Sequence, residues 1–198
     1  VNGWSSDPSK DTKSAVGSTS KALDIDPENA FCMTIDGFAH NNLLRRLDVA
    51  SSRYENALEH NPNEALSWLL RSALYAFQDS GGQAVHAADK ARKLSPIDPF
   101  KYFYDCLSAT AYLASEDYEK ALDFAISSLE RNQRHLSTLR AKIIALHFLD
   151  RTAEAKTVAD ELRRRQPTFS VEGYMNAHPA ADFQVGQNAM RALRAVGF

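Results

Sequence analysis

The stretch RYENALEHNPNEALSWLLRSALYAF, residues 53–77, sets small residues, a proline and an aromatic at intervals that recur further along the chain. Ala57, Leu58, Pro62 and Trp68 are followed 34 residues later by Ala91, Arg92, Pro96 and Tyr102. The alanine, proline and aromatic return in step while Leu58 gives way to an arginine, so what repeats is a set of packing positions. Ala50 and Tyr54 pair in the same way with Ala84 and Ala88, and Ala121 and Ala125 with Ala155 and Ala159. From Ala84 to Ala121 the interval is 37, with the three extra residues falling in the 96–99 connection. From Ala15 to Ala50 it is 35, and KALDIDPEN stands where NALEHNPNE stands later. This period is that of stacked helix-turn-helix units, each unable to bury its apolar face alone.

Small side chains at spacings such as Ala121 to Ala125 lie on one helix face and admit a neighbouring helix closely. Trp68 and Tyr112 supply the bulk beside them, and Pro62, Pro96 and Pro167 end one hairpin before the next. The reading is all-α. It predicts an opening helix over about 10–24 and helix pairs within repeats at about 30–62, 64–96, 100–133 and 136–167. An ordered linker at about 168–182 leads to a terminal helix at about 183–194, within a solenoid domain running from residue 9 to 198. Met190, Leu193 and Val196 are expected to face inward on that last helix, with Arg191 and Arg194 in solvent. Gly81-Gly82 reads as a turn and Ser115 to Asp117 as a helix cap. The first eight residues, VNGWSSDP, lack the period and read as an irregular leader, with Trp4 favouring contact with the opening helix.

The 198 residues are 44% apolar and 24% charged, as in a folded globular chain, and the net charge of -2 argues against wholesale attraction to nucleic acid or anionic membrane. No apolar run approaches the ~20 residues that span a bilayer, and the expectation is a cytoplasmic protein. Cys32 and Cys106 form no CxxC pair and read as two small buried side chains. The chain begins at Val1, and the expectation is a fragment of a longer protein.

These positions resemble tetratricopeptide repeats (TPR), helix pairs of 34 residues with an early aromatic and small packing residues. Ala65, Trp68, Ser72, Tyr75, Ala84, Ala88, Ala91 and Pro96 carry the clearest unit, and Tyr102, Ala109, Tyr112, Ala121, Ala125 and Ser128 the next. In the first unit Asn41 takes a position where an aromatic is usual, and in the last Ile143 replaces a small residue. The resemblance implies a right-handed α-α superhelix of about four helix pairs, with an N-terminal helix and a C-terminal capping helix. It places Asn42, Leu69, Ala73, Phe77, Cys106, Thr110, Leu113, Arg140, Ile144 and His147 on the concave side as candidate protein-binding residues. A narrower likeness lies in GWSSDPSK, KLSPIDPFKYFYDCLSATAYL, RQPTFSVEGY and MRALRAVGF. These resemble the repeat region attached to bacterial class III nucleotidyl cyclases and winged-helix transcriptional regulators. Neither a cyclase segment nor a recognition helix can be placed in the chain.

Signals for catalysis are sparse. No Gly-rich phosphate loop, HExxH or GxSxG occurs. His135 and His147 sit 12 apart on one predicted helix, too far to share a metal unaided. Asp117 with Glu119 and Asp150 with Glu154 stand at predicted helix starts, and Arg163-Arg164-Arg165 at a helix end, where the dipole favours those charges. The expectation is therefore no enzyme, no cofactor and no metal, but a protein-interaction or sensory module of a bacterial signalling or transcription-control protein. Its expected partner is a protein or peptide segment, an attached effector domain included. The alternatives are a self-associating scaffold, with a symmetric contact through Met190 and Leu193, and a small-molecule sensor with a pocket under the closing helix containing His147.

Overall fold

The computed structural model describes residues 7–198. The leader and Trp4 lie outside the described residues except for Asp7 and Pro8. Among the described residues all regular structure is helical. The order is α1 (Pro8–Ile25), then α2 (Ala30–Asn42) with α3 (Leu47–His60), α4 (Ala65–Phe77) with α5 (Gly81–Leu94), α6 (Lys101–Ala114) with α7 (Tyr118–Arg131), and α8 (Leu136–Phe148) with α9 (Thr152–Arg165). Two further helices follow, α10 (Val171–Ala177) and α11 (Gln184–Ala195). The 168–182 segment is thus a short helix with flanking turns, where a linker was expected. Ser170 starts it by accepting from the Gly173 amide.

The repeated alanines explain the layering. Ala84, Ala88, Ala121, Ala125 and Ala159 are fully buried, which lets the second helix of each pair lie against the first with little between the backbones. Tyr54, Leu74, Ile143 and Leu146, also fully buried, fill the space beside them, and each of the three aliphatic side chains contributes about 1.5–3 kcal/mol by leaving water. Ile143, the departure from the small-residue pattern, is accommodated without exposure. The first helices α2, α4, α6 and α8 also touch one another in series, which makes their side the concave one. Hydroxyl contacts tie neighbouring repeats: Thr34 meets Ser67, and the Ser128 hydroxyl meets that of Thr138 at 2.9 Å.

The turn within each pair passes through a left-handed residue. Arg45, Asp79, Glu116 and Asp150 all have φ between 54° and 61°, a left-handed residue that ends the first helix, and they recur at the repeat period. Gly81-Gly82 is accordingly not the turn but the first residues of α5. Glycine is required at 81 because a Cβ there would lie 2.4 Å from the Ala114 carbonyl oxygen, where α5 crosses the end of α6. Asp117 caps α7 as expected, accepting from the Lys120 amide at 3.2 Å. Cys106 is buried but Cys32 only partly so, and both are free thiols.

Candidate functional site

The concave side is not empty. After Pro167 the chain turns back across it, so that α11 packs on α8 and reaches α4. Two of the left-handed turn residues hold this segment. Arg45 donates to the Asn176 carbonyl at 3.0 Å, at the end of α10. Asp79 accepts from the backbone amides of Gln184 and Val185, each at 2.8 Å, at the start of α11. Cation at a helix C-terminus and anion at an N-terminus are the arrangement that helix dipoles favour. Gly186 lets the preceding turn fold tightly against the start of α11, since a Cβ there would lie 1.9 Å from the Ala180 carbonyl oxygen.

Between the concave wall and this returning segment lies a cavity of about 820 Å³. Asn42, Ala73, Phe77, Cys106, Thr110, Leu113, Arg140 and Ile144 all line it, brought together from four helices by the i, i+3, i+4 spacing of each inner face. Leu69 and His147 do not. Leu69 is fully buried between Ala91 and Tyr104, and His147 packs edge-on against Phe148 at 5.0 Å. Leu70 and Phe148, one position along, take their places in the lining. The opposite wall, which the repeat pattern could not supply, includes Phe169, Tyr174, His178 and Val185. The available signal was composition: Phe169, Val171, Tyr174 and Met175 are more apolar and aromatic than a solvated linker needs.

The lining is neutral except for its arginines. Among the described residues no Asp or Glu lines the cavity. Arg140, 8% exposed, has no ion pair among the described residues; it donates to the Ser137 hydroxyl at 2.9 Å, and its guanidinium carbon lies 5.1 Å from the Tyr174 ring centre and 5.7 Å from that of Phe169. Burial, then the Arg140 charge, lowers both His135 and His178 to about 4. His178 uses Nδ1 to accept from the Ala180 amide at 3.1 Å, and its ring meets Phe77 at 5.1 Å. Burial pushes the Cys106 thiol up to about 11, so at neutral pH it is a protonated, unreactive group. Among the described residues no group of His, Cys, Asp and Glu is arranged to hold a metal. Outside the cavity, Glu154 pairs with Arg151 at 2.7 Å, and Arg163 with Asp160 at 2.8 Å, so these charges serve helix ends. Asp117 pairs with Lys120 at 2.9 Å in the same manner.

The architecture matches solved structures. The backbone is similar to the crystal structure of PilW, described as a widely conserved type IV pilus biogenesis factor, with a TM-score of 0.71 at 16% identity over 94% of this chain and 86% of that one. It is similar to pilF of Pseudomonas aeruginosa, with a TM-score of 0.65 at 15% identity over 93% of this chain and 82% of that one. YrrB, described as a TPR protein with an unusual peptide-binding site, gives 0.58 at 16% identity over 92% of each chain. At such identities the likeness establishes the fold, an all-helical TPR-type superhelix. No protein-family model matches the sequence, and no curated protein matches it. No helix among the described residues is long and apolar enough to cross a membrane.

Proposed function

We propose that the protein is a non-catalytic interaction module whose concave face receives a protein segment. The observation that carries this reading is that the face already seats one, its own amphipathic α11, capped by Asp79 and packed on α8. A partner segment engages the same wall, alongside the returning segment or in exchange for it. A peptide-binding site named for YrrB, on a similar fold, supports the reading. The terminal sequence likeness to cyclase-linked and winged-helix-linked repeats supports a cytoplasmic regulatory role beside an effector domain. The test is affinity capture with the full chain beside Phe77→Asp and Leu113→Asp variants of unchanged helicity. Partners retained equally by all three would show that the groove is not the binding surface.

A second reading, a ligand sensor, is favoured by the closure of the groove into a cavity of about 820 Å³, within the range of small-molecule sites. Self-association through Met190 and Leu193 is less favoured, because Leu193 is already fully buried within the chain.

A further inference from the structure

The cavity under α10 and α11 has a charge that no carboxylate among the described residues pairs with. A buried arginine is ordinarily paired with a carboxylate, because removing its charge from water without a partner is costly. Arg140 is 92% removed from solvent on the 8% exposure already given, yet among the described residues it meets no carboxylate: it donates to the neutral Ser137 hydroxyl and lies over the rings of Tyr174 and Phe169. Ring faces attract the cation but do not supply a counter-charge. Lys101 on α6, by contrast, meets the buried Asp105 carboxylate at 3.4 Å. Among the described residues the other cation in the lining, Arg134, is exposed, and with no Asp or Glu there the interior carries an excess positive charge.

The rest of the lining specifies the body of a ligand. Phe77, Leu107, Leu113 and Ile144 form an apolar wall, and Phe169 and Tyr174 face it from the returning segment. One interior cation suits one negative charge, and a planar guanidinium suits a carboxylate, which it engages through two parallel hydrogen bonds. A phosphate dianion would need a second buried cation. We propose that this cavity is a binding site for a small apolar monocarboxylate, with the carboxylate on Arg140 and the hydrophobic body between Phe77, Leu113 and Tyr174. The proposal rests on the sensor reading and names its ligand class. Because Tyr174 and Phe169 belong to the returning segment, a bound acid bridges α8 to that segment and holds the groove closed.

The test uses the full chain and matched probes measured by calorimetry: 1-naphthylacetate against 1-naphthylacetamide, and 3-phenylpropionate against 3-phenylpropionamide. Inorganic phosphate is a third arm. N-acetyl-Ala-Ala-Ala-Phe with a free or an amidated carboxyl separates a chain terminus from a free acid. The expected result is that each small acid binds roughly 10- to 100-fold tighter than its amide. In Arg140→Gln the preference should disappear, and in Arg140→Lys part of it should remain. Thr110→Phe, which narrows the cavity and leaves the charge, should weaken acids and amides together, and it stands in if Arg140→Gln loses helicity. Equal binding of acid and amide overturns the carboxylate inference while leaving a ligand cavity in place. Absence of binding by every probe, with phosphate included, overturns both. An acid preference that survives Arg140→Gln, one confined to the peptide, or unchanged acid binding in Thr110→Phe also overturns the proposal.

Discussion

Replacing Asp79 with glycine isolates the contact that closes the groove. Asp79 has φ 57°, a backbone state that glycine adopts without strain, so the turn between α4 and α5 survives the exchange. What is lost is the carboxylate that accepts the Gln184 and Val185 amides at 2.8 Å each. Removing a capping side chain of this kind costs about 0.5–2 kcal/mol. Glu116→Gly makes the same exchange at the equivalent turn, φ 61°, where no helix end is capped across the groove, and therefore serves as the reference. A difference of about 0.5–2 kcal/mol between the two raises the open population of the returning segment by roughly 2- to 30-fold. Amide hydrogen exchange read peptide by peptide is the suitable assay, because a stacked-repeat protein need not unfold in one step. Amides of α10 and α11 should exchange faster in Asp79→Gly by that factor, while those of α6 to α9 stay at their wild-type rates. If α11 exchanges at the wild-type rate in Asp79→Gly, or as fast in Glu116→Gly, the cap does not hold the segment and the reasoning fails.

Ala125→Leu should destabilise the third repeat by about 1–3 kcal/mol, read as a lower urea midpoint, because Ala125 is fully buried against α6 and has no room for added methylenes. Ile126→Ala beside it, on a half-exposed position, should change the midpoint by no more than about 0.5 kcal/mol. Gly186→Ala should free α11 without unfolding the repeats, since its Cβ would strike the Ala180 carbonyl; selective loss of exchange protection in α11 is the expected readout. Burial and Arg140 hold His135 and His178 near 4, below the ordinary 6.5, so between those values the folded chain binds fewer protons than the unfolded one. Stability should therefore fall as pH drops from about 6.5 towards 4 and level off below, and thermal unfolding across that range should show a smaller loss in His178→Gln.

The residues that make the repeats were legible because each unit uses them against its neighbours. Ala84, Ala88, Ala121 and Ala125 are where the period put them, in the seams between helices, and the prolines follow the ends of α3, α5 and α9. Of the ten residues that the repeat resemblance assigns to the concave side, eight line the cavity, while Leu70 and Phe148 line it in place of Leu69 and His147, since a step of one residue turns a helical side chain by about 100°.

What the sequence by itself determined is this repeating stack, because contacts between adjacent units recur at a fixed spacing and leave a periodic trace. Only the tertiary structure decided that the concave side is closed over and that Arg140 faces a cavity without a counter-charge. Those outcomes depend on single contacts between distant residues, such as Arg45 with Asn176, 131 positions apart, and Asp79 with Gln184, 105 apart. A contact made once has no period, so its two ends carry no mark in the sequence until folding brings them together.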